Sequence, residues 1–564
     1  PVGPGLSGRE EIVLRRWIQQ GGELPDAIPQ QKHWAYVPPV RQSPPAAGSQ
    51  DLSIDPTIDG WIVASHVNED LQFAPVAKKS QLIRRLAFDV TGLPPSAEVV
   101  AAFEADDRDD AYEILVDEFL QSDEFGVRWA RMWLDLARYA DSHGFQRDDL
   151  RNMWAYRDWV VDALNDDMPF DQFTITQIAG DLLPDANEGT RIATGFHRCA
   201  PTNVEAGTDP EESRINQVFD RVNTTGAVWL GVTLECAQCH DHKYDPFSQE
   251  EYYRFAAYFN STEAEAERAN PKVPSSIKFI GPSMNLSHDP WEKERKSISQ
   301  SLSDARKNVK KIKGEKTGNE VIQDESEQPT TCGGETLVDQ QDQQDAADVR
   351  LKTMEKKVKQ LQNKLASIPE AKTLVMQERA KPRETFVFNR GDFTDPSKQV
   401  EPGTPIVLGG KNDGPANRLM LAQWLVSQDN PLTARVFVNR VWFEIFGQGI
   451  VTTLEDFGVK GERPTHPELL DSLAVGFMED GWSLKKLVRR IVSSRTYRQS
   501  STVHSEKRLQ DVQNKWLARG PRFRLDAEGI RDNALAIAGL LSTAKGGPSI
   551  RPPQPNGLWT KVGG

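Results

Sequence analysis

Apolar residues recur at steps of three and four along most of this 564-residue chain, and this periodicity limits the possible folds more than any other feature. A stripe of that spacing lies on one face of an α-helix and has to be buried against another element. Between residues 57 and 265 the pattern predicts separate helices over 76–88, 111–120, 127–139, 152–164, 215–230 and 248–258. We therefore predict a mainly α, multi-domain helical protein with long loops.

Residues 287–380 differ sharply from the rest and predict an antiparallel coiled-coil hairpin. Two apolar stripes flank a polar stretch, 314–348, that has no periodicity; they consist of Trp291, Ile298, Leu302, Ala305, Val309 and Ile312, then Leu351, Met354, Val358, Leu361, Leu365 and Ile368. Two such arms around a polar tip favour antiparallel pairing. The insertion serves as a spacer or contacts a partner, including a second copy of the chain; the alternative is a solvated segment without a partner.

Changes in composition divide the chain into further segments. A Pro-rich linker is expected at 38–56, and short runs of β-forming residues at 385–388 and 405–408 predict a small β element within 384–408. We expect domains at 1–37, 57–286 and 381–564, with the hairpin at 287–380 between the last two.

Both ends of the sequence look like parts of larger domains. Residues 8–20 read as one amphipathic helix followed by Gly21 and Gly22, and one helix cannot bury its stripe alone. The last residues lie in a Pro- and Gly-rich loop. We therefore expect a leader and a domain upstream of residue 1, and a second domain truncated at its C-terminus.

The net charge of −14 argues against a nucleic-acid partner, because no domain-wide basic surface is available to neutralise phosphates. The sequence has no run of eighteen apolar residues, so no transmembrane segment is predicted. Its four cysteines do not form a disulfide framework, and Cys199 and Cys332 are predicted to be free thiols.

The motif with the clearest chemistry is Cys236-Ala237-Gln238-Cys239-His240. Cysteines at i and i+3 project from one side of a helical turn, so both sulfurs can bond the same porphyrin. His240 would then be the proximal ligand of the haem iron. Covalent haem c is the predicted cofactor; a zinc site, which needs two further ligands, and an inert or redox-active dithiol are the alternatives.

The motif does not determine the sixth ligand of the iron. If the helix continued, His242 would lie about 200° around it from His240 and could not reach the opposite haem face. His197 and His143 are the candidates for a second axial ligand; the alternative for each is a hydrogen-bonded loop histidine. An open position would favour catalysis, and a filled one electron transfer.

Several carboxylates surround the motif in sequence: Asp209, Glu211, Glu212, Asp220, Asp241 and Asp245. They would suit Ca²⁺ or supply a general base, with a solvated loop as the alternative. The candidate catalytic residues are His197, Asp209 and His143.

Long motifs in a fixed order resemble the planctomycete-type cytochrome c family, in which a cytochrome-like domain precedes two linked domains of unknown function. DRVNTTGAVWLGVTLECAQCHDHKYDPFSQEEYYRFAAYF (220–259), MWLDLARYADSHGF (132–145) and GFHRCAPTNVEAGTDPEE (195–212) resemble the first of these domains. NPLTARVFVNRVWFEIFGQGIV (430–451) and HPELLDSLAVGFMEDGWSLKKLVRRIVSSRTYRQS (466–500) resemble the second. Residues 1–37 resemble the end of the cytochrome-like domain.

The resemblance implies an exported, periplasmic or cell-envelope haem protein with links to polysaccharide use. It supports Cys236, Cys239 and His240 as the haem residues, and raises His197, His242 and His143 as site candidates without a role. Three hypotheses follow. The chain is an oxidoreductase that passes electrons from a small organic substrate, such as a carbohydrate, through haem c to a redox partner or an upstream haem. Otherwise it is an electron-transfer module, or a structural envelope protein with an ancillary haem.

Overall fold

A computed structural model of the chain describes residues 32–45, 57–145, 150–203, 209–263, 281–320, 336–410, 417–502 and 511–550, with the short pieces 15–16, 148, 266–268 and 277–279. The predicted helix over 8–20 lies outside these residues, apart from Arg15 and Arg16, which are helical. Cys332 and most of the predicted linker at 38–56 also lie outside them.

The first half of the described chain is a block of ten helices. They are α1 (Asp59–Asn68), α2 (Lys79–Thr91), α3 (Ala97–Ala105), α4 (Ala111–Leu120), α5 (Glu124–Leu136), α6 (Trp154–Asn165), α7 (Phe170–Ala179), α8 (Glu188–Ala193), α9 (Pro210–Thr225) and α10 (Gln249–Asn260). One π turn, Gly226–Leu230, extends α9, and a 3-10 turn, Glu235–Gln238, lies between α9 and α10.

The second half begins with two long helices, α11 (Glu292–Glu320) and α12 (Thr336–Ala366). A second helical block follows, with α13 (Arg418–Leu425), α14 (Thr433–Phe446), α15 (Pro467–Glu479), α16 (Leu484–Ser493), α17 (Arg495–Arg498) and α18 (Ala527–Ile537). Six short strands form antiparallel pairs: β1 (Ala266–Arg268) with β2 (Ile277–Phe279), β3 (Ser283–Asn285) with β4 (Lys372–Leu374), and β5 (Thr385–Phe388) with β6 (Pro396–Val400). The prediction of a mainly α fold is confirmed.

Local capping explains where the helices begin. The Ser248 hydroxyl accepts from the Glu251 backbone N–H while the Glu251 carboxylate accepts from the Ser248 N–H, so α10 begins at Gln249. The predicted helix at 76–88 lies three residues further on, because Val76 pairs with Gln499 in a β-bridge. The predicted helix at 215–230 begins five residues earlier, at Pro210, because Asp209 caps it.

The expected β run at 405–408 is wrong. These residues form a 3-10 turn, Ile406–Leu408, that ends at Gly409 with φ +76°. The strand that pairs with β5 is instead β6, in the register Thr385 opposite Val400 and Phe386 opposite Gln399. The predicted β element within 384–408 is therefore formed by β5 and β6, and residues 405–408 are not part of it.

The two helical blocks share one hydrophobic core. Phe170 of α7 stacks on Phe437 of α14 with ring centroids 3.8 Å apart. The Tyr112 hydroxyl of α4 donates to the Val492 carbonyl of α16 at 3.0 Å. Buried Arg418 pairs with Asp181 at 2.7 Å and with Glu378 at 3.0 Å. The blocks are thus joined by aromatic packing and by a buried ion-pair network.

Helices α11 and α12 pack against each other as the predicted antiparallel hairpin. Lys364 near the end of α12 lies 3.7 Å from Glu294 near the start of α11, and Lys313 pairs with Glu355 at 2.9 Å. The predicted stripe positions Ile298, Leu302 and Ala305 are buried. Within the described chain, no helix is both long enough and apolar enough to cross a membrane.

Candidate functional site

The Cys236–His240 segment forms an exposed turn on a buried support. Leu234 and Ala237 are buried. The 3-10 turn Glu235–Gln238, which contains Ala237, leaves both Cys236 and Cys239 exposed. The Cys239 N–H donates to the Cys236 carbonyl at 3.4 Å. Two thiols therefore lie on one helical turn at the surface, as thioether attachment to a porphyrin requires.

His240 is exposed, and its Nδ1 lies 2.7 Å from the carbonyl oxygen of Asp241. A carbonyl oxygen only accepts, so Nδ1 donates in this contact and Nε2 is the ring nitrogen left to bind a metal. Metal-binding histidines commonly donate their other ring N–H to a carbonyl or carboxylate in this way. The side chains of the turn thus fit a covalent haem with His240 as ligand through Nε2.

Helix α10 and the β5–β6 hairpin hold the turn in place. Gln249 Nε2 donates to the Gln238 carbonyl and to the Phe388 carbonyl, both at 3.1 Å, and the Tyr253 hydroxyl donates to the same Gln238 carbonyl at 3.0 Å. The Gln249 backbone N–H donates to Asp241 Oδ1 at 2.8 Å. Both sides of the motif are therefore anchored to one helix end.

His242 belongs to a separate buried network. The helix ends at Gln238, so the helical rotation used to exclude His242 as an axial ligand does not apply. Its Nδ1 instead accepts from the Asp245 N–H at 2.9 Å, and its side chain is 5% exposed. Asp245 Oδ1 accepts from the Tyr36 hydroxyl at 2.6 Å and from the Val459 N–H at 2.7 Å. These contacts connect the loop after the motif to the segment before α1 and to the loop between α14 and α15.

A cleft of about 490 Å³ opens next to the turn, between α5, α9 and α14. Glu235, one residue before Cys236, lines it. Its lining includes apolar side chains, Met132, Leu136, Val228, Phe443 and Leu454, and charged ones, Asp135, Arg138, Asp220, Glu444, Glu455 and Arg440. A cleft with both kinds of side chain suits a small organic molecule with several polar groups.

Arg138 and Asp220 form the polar centre of this cleft. Arg138 Nη1 donates to both Asp220 oxygens at 2.7 Å, and also contacts Thr224 Oγ1. Arg138 adopts φ +57°, an uncommon conformation for a non-glycine residue. Within the described part of the chain, Asp135 and Glu235 form no ion pair, whereas Asp220 and Glu444 do. Arg138 was not identified from the sequence. It belongs to no recognised motif, and its only special feature is that it follows the end of α5.

His143 is buried beside two arginines. Its carbonyl accepts from the Thr202 N–H at 3.2 Å, and Arg151 donates to the carbonyls of Arg198, Cys199 and Ala200. Burial, together with the charges of Arg151 and Arg198, lowers the pKa of His143 to about 4. The structure thus packs His143 against the segment that follows His197, with a neutral ring at pH 7.

His197 lies fully inside the core. Its ring packs against Phe196 and Phe259, with centroids 5.1 and 4.8 Å away. Neither ring nitrogen has a hydrogen-bond partner among the described residues. Burial, followed by the charges of Arg221 and Arg418, lowers its pKa well below the ordinary value. His197 is therefore a neutral core ring, in contrast to the exposed His240.

Asp209 has a structural position at the start of α9. Its Oδ1 accepts from the Glu211 N–H at 2.7 Å and from the Glu212 N–H at 3.1 Å. Glu211 pairs with Arg214 at 2.6 Å. The described residues include no group of three or more His, Cys, Asp or Glu side chains placed to hold a metal ion, so Ca²⁺ stays a prediction. Cys199 is the free thiol predicted, and burial raises its pKa to about 11.

Fold and motif together define a helical protein of two packed blocks with an exposed Cys-x-x-Cys-His turn. Residues 57–264 match the family model PSCyt2, described as a protein of unknown function (DUF1549), and residues 417–563 match PSD1, also of unknown function (DUF1553). The chain belongs to the planctomycete cytochrome c-type family that has this domain pair. No curated protein and no solved structure was found to match it.

Proposed function

We propose that this chain is an exported c-type haem protein that carries out redox chemistry on a small organic substrate. The observation that carries the proposal is the turn itself: two exposed thiols on one turn, followed by an exposed His240 whose Nδ1 is bound to a carbonyl. Cys236 and Cys239 would hold the haem covalently, and His240 would bind its iron. When bound, haem c supplies a centre that takes up one electron at a time.

The cleft beside Glu235 is the place we assign to the substrate. Oxidation of an alcohol to a carbonyl compound releases two electrons and two protons, so a redox partner has to remove electrons twice in each turnover. Glu235 and Asp135 are carboxylates available to accept the hydroxyl proton. A carbohydrate is the substrate class implied by the family resemblance, and the mixed lining of the cleft suits it.

Haem attachment is tested by producing the chain in the periplasm of a host with c-type haem maturation. We expect haem that stays on the polypeptide under denaturing conditions. The double variant Cys236→Ala/Cys239→Ala should lose it, and Cys199→Ala, which removes a buried thiol elsewhere, should keep it. A chain without covalent haem under these conditions would contradict the proposal.

Electron transfer without a substrate is the second candidate, favoured by the exposure of Cys236, Cys239 and His240 together. An exposed haem edge would serve a protein partner as well as a substrate. The absorption spectrum of the reduced protein with and without CO separates the two. Rapid CO binding indicates an open iron position and supports catalysis, and no binding supports electron transfer.

We also propose that the α11–α12 hairpin mediates self-association. The inner stripe of each helix faces the other helix of the hairpin, so contacts with another chain would use exposed charged side chains such as Glu292 and Lys296. Deleting residues 290–370 should lower the sedimentation coefficient from that of an oligomer to that of a monomer. An unchanged oligomeric state in the deletion variant would exclude the hairpin as the interface.

A further inference from the structure

A second cavity, of about 200 Å³, shares none of its lining residues with the substrate cleft. It lies between α9, α10 and the β5–β6 hairpin and is partly open to solvent. Five aromatic side chains line it beside several polar ones: Phe219, Tyr253, Phe386, Phe388 and Phe393. Such a concentration of rings around one empty space points to a ligand with a ring of its own.

Three of these rings meet edge to face. Centroid distances are 5.9 Å for Phe219 and Tyr253, 5.2 Å for Tyr253 and Phe388, and 6.2 Å for Phe219 and Phe388, with interplanar angles of 79°, 69° and 68°. Edge-to-face and offset-stacked contacts are the favoured arrangements of aromatic pairs. A planar ring that enters this cavity can therefore contact the face of one of these aromatic rings and the edge of another.

The polar side chains at this cavity are already bound to one another. Arg214 pairs with Glu211 and donates from Nη1 to Asn260 Oδ1 at 2.6 Å. Asn260 Nδ2 donates to Thr385 Oγ1 at 2.9 Å and to the Glu384 carbonyl at 3.2 Å. A charged ligand would have to compete with these contacts or lie beside the Glu211 and Glu384 carboxylates. An uncharged ligand avoids both costs.

The volume of the cavity matches a ligand with one ring. A dry apolar cavity of about 150 Å³ is known to take up benzene in another protein. At about 200 Å³ this cavity holds one six-membered ring with a small substituent, and is too small for a porphyrin. We propose that the cavity formed by α9, α10 and the β5–β6 hairpin binds an uncharged molecule with a single aromatic ring, of the phenol type.

The site touches the cysteine-containing turn through Tyr253. Its ring lines the cavity while its hydroxyl donates to the Gln238 carbonyl between the two cysteines. A bound ring would therefore contact a residue that positions the turn. The proposal itself needs no haem, so its test is independent of the proposed redox function.

Phenol, cyclohexanol and benzoate are the probes, titrated into the full chain by calorimetry and by saturation-transfer NMR. We expect saturable binding of phenol at one site, weaker binding of cyclohexanol, which lacks the aromatic face, and no binding of benzoate. Absence of saturable phenol binding would overturn the proposal, as would benzoate binding as tightly as phenol.

Two variants locate the site. Ala256→Leu adds bulk at a lining residue of α10 and should weaken phenol binding by about tenfold or more. Phe393→Ala enlarges the cavity and should admit 2-naphthol, a two-ring probe that the unmodified chain excludes. If Ala256→Leu does not fold, Phe393→Ala decides alone; phenol binding with no gain of 2-naphthol binding would place the ring elsewhere and refute this site.

Discussion

A Cβ atom placed on Gly391 would lie 2.9 Å from the Sγ of Cys239, so the loop between β5 and β6 packs directly on one of the two thiols of the motif. Gly391 also has φ +79°, in the region that favours glycine. The hairpin is therefore fitted to the cysteine turn by a residue that tolerates neither a side chain nor an ordinary backbone conformation.

Gly391→Ala should destabilise the protein by more than the backbone effect alone. A left-handed alanine costs about 1 kcal/mol, and the clash with Cys239 adds to it. Gly481→Ala is the matched control, since Gly481 has φ +78° and nothing within 4 Å of the added Cβ. Urea unfolding measures both; equal losses of stability would show that the contact with Cys239 adds nothing.

Asp245→Ala should cost more stability than Tyr36→Phe. Tyr36→Phe removes one hydrogen bond to the carboxylate, worth about 1 kcal/mol. Asp245→Ala leaves both the Tyr36 hydroxyl and the Val459 N–H without their acceptor, so a loss of about 2 to 3 kcal/mol is expected. Urea unfolding of both variants tests this ranking. A larger loss of stability in Tyr36→Phe than in Asp245→Ala would contradict it.

Asp89 should make stability fall as the pH rises from 4 to 7. Burial raises its pKa from 3.8 to about 7, although the Tyr497 hydroxyl donates to Oδ2 at 2.7 Å and opposes the rise. Between these values the folded chain keeps a proton that the unfolded chain has released, so folding becomes less favourable with increasing pH. Each unit of difference corresponds to about 1.4 kcal/mol.

Asp89→Asn should flatten this part of the stability profile, measured by urea unfolding at several pH values. Asp107→Asn is the control, because the Asp107 side chain is 99% exposed. A slope that persists in Asp89→Asn would show that other groups cause it.

The sequence predicts helices well where one face is buried and less well where the whole helix is. Helix α4 has the predicted bounds, 111–120, since its apolar residues alternate with exposed carboxylates. Helix α7 was missed because most of it is buried, including Thr174, Thr176 and Gln177. Its polar residues serve other side chains: Gln177 Oε1 accepts from Trp133 Nε1 at 2.7 Å. That pattern has no helical period.

The candidate site also has one part that the sequence predicts and one part that it does not. The cysteine turn is local in sequence, so its spacing was sufficient to predict a helical turn with both thiols on one side. The cleft next to it combines α5, α9, Glu235 and α14, which are separated by up to about three hundred residues. Such a site depends on how the two helical blocks pack, and the sequence contains no local signal for that. Arg138 is recognised as part of it only through its contact with Asp220.

The variant His197→Phe tests whether His197 is a haem ligand or a neutral ring of the core. As a haem ligand, His197 would be required for the spectrum of the loaded protein. In the structure it is a buried neutral ring between Phe196 and Phe259, with both nitrogens lacking a hydrogen-bond partner among the described residues. Removing a buried polar group that has no partner, with the shape preserved, is neutral or stabilising by about 1 kcal/mol.

We therefore expect His197→Phe to keep or raise the free energy of unfolding and to leave the spectrum of the haem-loaded protein unchanged. His240→Ala is the contrasting variant. It should keep covalent haem through Cys236 and Cys239 but lose the proximal ligand, and added imidazole should restore the original spectrum because this position is exposed. A change of spectrum in His197→Phe would instead mean that the core opens to bring His197 to the iron, which would restore it as the second axial ligand.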